Sequence, residues 1–567
     1  MTSKTASSGV HSYTLKGGKL RPSQIITTFG PGAVVDLPEE SVMIAGIDLW
    51  PHGPIIQEPR LQQALEVKHF RAPAIGNLEG DVPCVRFPRS RVCINKGCSL
   101  ISRYKTCPEC GSDTYPARLI VICSEGHADD FPWHWWVHRG GKCTGKPELR
   151  LVNLGRTATL DDLVVMCSTC SQERSLAGAL GAKAVGSTCS GKHPWLPGIP
   201  DARCSAEPRS VLRGASNVYF SSLLSALSIP PWTSPIQTAI NMHWSTLLPI
   251  AQNEALQRIL IPELPEFAGF NLEDVIRAIK ERISSTTTLN TLRQEEFRAF
   301  RNPGGGTHHI DFQIRSEPVP IGFEPYIKRV ILAHRLREVR VLRGFTRIDP
   351  VDADNVGAPI APIMASPQDW LPAVEHRGEG IFIELDENRV AAWEAERAVR
   401  QRIDEMFQVN NKWREQRGMK RLDRLLPRSV LIHTLAHLLI RQLSLDCGYS
   451  SSSLRERIYA GADMCGLLIY TASADSDGSL GGLVQQGLQS RLGATLCALL
   501  ENARWCSSDP LCTEHQPLFT GQIKGAACHA CCLISETSCE ASNRLLDRAL
   551  VCNLPNLAPT GFFGSGV

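Results

Sequence analysis

The residues with the most chemistry to offer are thiols. The 21 cysteines fall into two groups: Cys84 to Cys204 holds 11, positions 205–446 hold none, and Cys447 to Cys552 holds 10. The N-terminal stretch MTSKTASSGVHSYTLKGGKLRPSQ lacks the apolar core of a secretion signal, so a cytoplasmic protein is expected. In that reducing setting, thiolates at C-x2-C spacing suit tetrahedral zinc better than disulfides.

Three ligand sets follow from spacing. Cys93 and Cys98 precede the knuckle Cys107-Pro-Glu-Cys110-Gly111, where Gly111 permits the tight turn that aims amides at sulfur; Cys84 is an alternative ligand. Cys167 and Cys170 are expected to join Cys189 and Cys204, with His193 as a substitute. At the C-terminal end Cys506, Cys512, Cys528, Cys531 and Cys539 supply a third set, in which Cys531 and Cys532 are interchangeable by spacing. Two or three Zn2+ ions per chain are therefore expected. Cys123, His127, His138 and Cys143 form a further candidate, against the plainer reading of core histidines beside tryptophans. Zinc held by four protein ligands stabilises a fold and does not catalyse, because no position is left for water.

Other motifs fail on inspection. Gly140-GKCT-Gly145-Lys146 and Gly186-STCS-Gly191-Lys192 imitate a phosphate-binding loop, but both miss the Ser/Thr that ligates magnesium, and neither joins a strand to a helix. His433-Thr-Leu-Ala-His437 places two imidazoles on one helix face without the glutamate of H-E-x-x-H, which favours a satisfied core pair. No G-x-S-x-G, no strand-linked G-x-G-x-x-G and no deaminase signature is present. An enzyme is not expected. The rival reading is a metal-dependent nuclease or hydrolase using His433, His437 and an acid such as Asp446.

A net charge of +3 over 567 residues gives no global pull toward nucleic acid. Local charge differs. Lys328, Arg329, Arg335, Arg337, Arg340, Arg343 and Arg347 face a single acid, Glu338, in a segment interleaved with apolar residues, and Lys412–Arg428 is similarly basic. The expectation is a nucleic-acid or partner surface with the arginines turned outward, set against a merely solvated face.

The elements that must carry these residues read as mixed α+β in several domains: an N-terminal segment (1–83), a cysteine-rich zinc-ribbon-like region (84–210), a mainly helical region (211–306), a mixed connecting region (307–428) and a C-terminal α/β domain (429–567). Asn271 caps an amphipathic helix to Ile283, and a second helix covers Thr291–Arg301 before an Asn302-Pro-Gly-Gly-Gly loop. Residues 380–386 read as a buried strand, 387–410 as one helix, 431–447 as an apolar helix stopped by Gly448, 466–474 as a core strand and 475–482 as a turn.

Several segments together resemble the DrmB family, subunits of the DISARM anti-phage defence system. They are RPSQIITTFGPGAVVDLP (21–38), CSEGHADDFPW (123–133), RGASNVYFSSLLSALSIPPW (213–232), LREVRVLRGFTRIDP (336–350) and EGIFIEL (379–385). LIHTLAHLLIRQLS (431–444), SLGGLV (479–484), CSSDPLC (506–512), CHACC (528–532) and CEASNRLLDR (539–548) resemble a domain shared by DrmB and the tails of certain bacterial helicases. The resemblance implies a non-catalytic partner of a superfamily-two helicase of the DrmA type, beside a DNA methylase and a phospholipase-D-like protein, engaged with phage DNA. It also implies a C-terminal domain of phospholipase-D-like fold, although no H-x-K-x4-D is present and that activity does not carry over. Cys93-x4-Cys98 departs from the tighter pair expected in the family.

Overall fold

Fourteen of the residues between Arg428 and Leu443 are buried, on every side of one helix, Pro427–Cys447. A helix apolar all round must lie inside a domain, and in the computed structural model it is covered by the strands Leu454–Gly461 and Met464–Thr471 and by the helix Gln489–Ala503. Pro427 starts it at a position where its missing N–H costs nothing, and Gly448, left-handed at φ 71°, ends it.

The structure describes residues 10–13, 20–74, 82–155, 159–182, 184–186, 188–284, 288–289, 291–303, 311–350, 360–416, 419–471 and 482–564. The glycines of the expected 302–306 loop and most of the 475–482 turn lie outside them. The chain forms two compact units, each assembled from separated stretches: 1–56, 69–224 and 340–374 in the first, and 57–68, 225–339 and 375–567 in the second.

The first unit is built from small antiparallel sheets. Arg91–Cys93 lies between Ile101–Ser102 and Thr114–Pro116. Leu119–Ile122 pairs on one side with Ala128–Asp130 and on the other with Arg209–Leu212. Leu149–Asn153, Leu163–Cys167 and Glu173–Ser175 form a third sheet, whose face packs with Trp133 and Trp136 in one apolar cluster.

In the second unit, the part of the strand Trp370–Leu385 beyond Val374 pairs with Met464–Thr471, from Gly380 opposite Tyr470 to Glu384 opposite Gly466, and Leu454–Gly461 follows. One face of this sheet meets the Pro427–Cys447 helix. The other receives Phe297 and Phe300, with Phe300 stacked on Phe382 at 4.6 Å. The amphipathic helix Leu272–Ser284 buries Val275, Ile276 and Ile279 in a separate helical cluster with Ile240, Leu247 and Phe267, as its spacing predicts. The single helix expected over 387–410 is two, Glu387–Glu394 and Arg397–Glu415, broken at Ala395 and Glu396. Among the described residues no helix is long and apolar enough to cross a membrane.

Candidate metal centres

Tetrahedral zinc with Zn–S bonds of about 2.3 Å sets sulfur–sulfur edges of about 3.8 Å. Cys93 Sγ lies 3.4 Å from Cys110 Sγ, and Cys98 Sγ lies 3.6 Å from Cys107 Sγ. Cys93 ends its strand, and Gly111 takes φ 72° with its amide on Cys107 O at 3.0 Å, so the knuckle closes as its sequence requires. Burial pushes the Cys93 thiol up to about 12, while hydrogen bonds from Ser112 bring exposed Cys110 down to about 6. Four such thiols cannot all ionise together without a cation among them. Arg150 Nη1, 3.7 Å from Cys98 Sγ, offsets part of the charge of a four-thiolate site. Cys84 lies in another strand and is not in this set.

The expected union of Cys167 and Cys170 with Cys189 and Cys204 does not form. Cys189 and Cys204 join Cys123 and His127, whereas Cys167 and Cys170 join His138 and Cys143. Sheet pairing is the cause. Ile122 opposite Arg209 brings Cys123, one residue past its strand, beside the segment that leads from Cys204 into Arg209–Leu212. Leu149 opposite Cys167 brings the approach from Cys143 to the end of Leu163–Cys167. Within the first set Cys123 Sγ is 3.3 Å from His127 Nδ1 and 4.0 Å from Cys204 Sγ. Gly191, at φ 69°, packs so tightly on Ala202 that any Cβ would meet its carbonyl oxygen at 1.8 Å, which holds the Cys189 loop against the chain leading to Cys204. In the second set His138 Nε2 is 3.2 Å from Cys170 Sγ, and Cys143 Sγ is 3.7 Å from Cys167 Sγ. His138 Nδ1 donates to His134 O at 2.8 Å, which fixes the ring with Nε2 toward sulfur. His193 stacks edge-on against His127 and is not part of either set.

In the second unit Cys506 Sγ is 3.5 Å from Cys528 Sγ, and Cys512 Sγ is 3.7 Å from Cys531 Sγ. Cys532 is fully buried in the apolar core beside them. Cys539 is not in this set: its Sγ lies 3.2 Å from His433 Nε2, in a fifth group with His437 and Glu456. The His pair was legible in sequence, but Glu456 was not, because an acid flanked by Arg455 and Arg457 reads as a solvated strand face. Asp446 is elsewhere, accepting from Gln442 at 2.8 Å and Thr495 at 3.0 Å. Among the described residues five donor groups thus stand beside the two or three zinc ions expected.

Lys192 Nζ pairs with Asp129 at 2.8 Å, and the Lys146 carbonyl accepts from Thr169. The basic segment is a single strand, Ile327–Thr346, followed by Arg347, and four of its seven cations are held by acceptors of the protein itself, in place of the outward arrangement expected. Arg347 is buried and donates to Gly126 O, Gly32 O and Val218 O at 2.8, 2.9 and 2.5 Å; burial brings it down to about 10. Arg337 donates to Glu375 and to Gln57 O, Arg343 to Ser222, and Arg329 to Arg301 O. Arg340 is half-buried; Lys328 and Arg335 are exposed.

Residues 21–220 match a domain of unknown function, DUF8724, and residues 435–532 match the MrfA Zn-binding domain, which spans the Cys506, Cys512, Cys528 and Cys531 set. Fold and donor sets together define a mixed α/β multidomain protein with cysteine-rich, zinc-capable centres. The DISARM protein DrmB of Bacillus paralicheniformis is 35% identical over 563 residues, covering 93% of this chain and 99% of that protein. The chain belongs to the DrmB family of DISARM proteins. Among solved structures, the DUF1998 helicase MrfA bound to DNA is similar over 40% of this chain, at 12% identity and a TM-score of 0.18; the chain spans 23% of that helicase.

Proposed function

We propose that this chain is a non-catalytic zinc-binding subunit that partners a DrmA-like superfamily-two helicase in DISARM-type anti-phage defence and helps it engage foreign DNA. The observation that carries this reading is the near full-length likeness to DrmB. The donor geometry supports the non-catalytic part. In each of the four thiolate-rich sets the chain supplies four ligands, so a bound zinc has no open position for water or substrate. Zinc there would be held by Cys93, Cys98, Cys107 and Cys110; by Cys123, His127, Cys189 and Cys204; by His138, Cys143, Cys167 and Cys170; and by Cys506, Cys512, Cys528 and Cys531. Its role is to tie short strands and loops that carry little apolar core of their own. In this reading residues 429–567 have a phospholipase-D-like fold without that activity, and a DNA methylase and a phospholipase-D-like protein act in the same system. Lys328 and Arg335 supply the part of the basic strand that reaches DNA or the helicase.

Co-expression with the helicase of the same defence locus tests the proposal. The two should co-purify, and the isolated chain should neither hydrolyse ATP nor cut DNA. Chelator-sensitive DNA cleavage by the isolated chain would favour the rival reading, a metal-dependent nuclease built on His433 and His437.

A further inference from the structure

The group His433, His437, Glu456 and Cys539 differs from the others in kind. Its donors come from three places: two imidazoles one turn apart on the Pro427–Cys447 helix, a carboxylate on the strand Leu454–Gly461, and a thiol from the loop beyond the Cys506–Cys531 set. His433 Nε2 lies 3.2 Å from both Cys539 Sγ and Glu456 Oε1, and His437 Nε2 lies 3.4 Å from Glu456 Oε2. All four donor atoms lie within 4.8 Å of one another.

Three of the four donors are held from behind. His437 Nδ1 donates to Cys532 O at 3.0 Å, which leaves the Nε2 lone pair facing the group. Cys539 Sγ accepts from the amides of Ala541 at 3.3 Å and Asn543 at 3.2 Å, an arrangement that favours the thiolate. Glu456 Oε1 accepts from the Glu540 amide at 3.0 Å. What faces the centre is poorly met: His437 Nε2 and Glu456 Oε2 are buried, at 0% and 1% residue exposure, and face each other at 3.4 Å without forming a hydrogen bond there among the described residues. Buried polar atoms without a well-formed hydrogen bond are rare and costly.

We propose that these four residues form a fifth, closed zinc site that staples the Cys539 loop to the helix and the strand. Two imidazoles, a carboxylate and a thiolate are all first-row zinc ligands. Their two negative charges cancel those of Zn2+, so the site is neutral, as burial at this depth favours. A four-thiolate site would carry a net charge of −2, and the two four-cysteine groups each have an arginine close by, Arg150 and Arg548. Four protein ligands also leave no vacancy for a reacting water, so the site is structural. His433 and Cys539 both lie outside the stretch that matches the MrfA Zn-binding domain. The inference stands or falls apart from the helicase partnership.

Native mass spectrometry of the full chain should find one zinc fewer in Cys539→Ser, and in the double variant His433→Gln with Cys539→Ser, than in the parent. An equal zinc count in the folded variants would overturn the site in favour of a metal-free His–Glu network. If the variants do not fold, crystals of the parent chain decide. A zinc-edge anomalous peak amid the four donor atoms is expected. Peaks at the thiolate-rich groups with none here, or a peak here only at another metal's edge, would overturn the zinc assignment.

Discussion

Cys123 Sγ lies 4.0 Å from Cys204 Sγ, although 81 positions separate them. Cys143 and Cys167 both fall inside that interval and meet each other instead, at 3.7 Å. One metal group is thus nested within the sequence span of another, and neither can be assembled without the sheets that bring its halves together.

Nesting predicts which substitutions share a zinc. Cys123→Ser, Cys204→Ser and their combination should each cost one zinc, whereas Cys123→Ser with Cys167→Ser should cost two. Elemental analysis of the purified variants reads this directly. Loss of a single zinc from the Cys167 and Cys204 double variant would restore the sequential pairing read from spacing.

That contrast marks what the sequence makes legible. Cys93, Cys98, Cys107 and Cys110 close one group within 18 residues, so local spacing suffices. Cys506 to Cys531 is nearly as local, and Gly448 announces the end of its helix by its own conformational freedom. Cys123 with Cys204, and His433 with Glu456, depend on which strand lies beside which, and spacing carries no record of that. Lys328–Arg347 misleads for a related reason: a basic run reads as surface until its carbonyl and carboxylate acceptors, such as Gly32 O and Glu375, arrive from distant segments.

Glu296 and Arg457 predict a pH dependence. Arg457 Nη2 donates to Glu296 Oε1 at 2.6 Å with both side chains fully buried. Burial alone would raise the Glu296 carboxyl, but the charge and hydrogen bonds of Arg457, with the charges of Arg293 and Arg60, together outweigh it and hold the group below the usual 4.5. A depressed carboxylate contributes stability that is complete above its unfolded-state pKa and is lost as pH falls through the folded one. Glu296→Gln should cost about 3–5 kcal/mol near neutrality by removing the nearest counter-charge of buried Arg457, whose other acid, Glu338, lies 3.6 Å away. Denaturant titrations should show the gap to the parent chain constant above pH 4.5 and narrowing below it, zinc release affecting both chains alike.

The basic strand now separates into two predictions by residue. Arg347→Ala removes three buried hydrogen bonds from a charged donor, each worth about 1.5–3 kcal/mol, and should lower the thermal stability of the chain severely. Lys328→Glu with Arg335→Glu should leave stability unchanged. If these two contact phosphate in the helicase complex, the double change should flatten the salt dependence of DNA binding by about 0.7–0.9 log units per lost contact. An unchanged slope together with intact assembly would reduce them to a solvated edge.

Lys192→Ala removes a partly exposed pair with Asp129, worth at most about 1 kcal/mol. It should leave the ATPase of a reconstituted helicase complex at its parent rate, as should Lys146→Ala. A large fall from either would reveal a phosphate site that neither the loop sequence nor the Asp129 pairing supports.

X-ray absorption at the zinc edge of the purified, full-length chain tests the account at its centre. Closed, cysteine-rich centres predict a four-coordinate shell dominated by sulfur at about 2.3 Å, with a minority of nitrogen or oxygen at about 2.0–2.2 Å. A chain without zinc, or a shell dominated by oxygen and nitrogen with coordinated water, would contradict it.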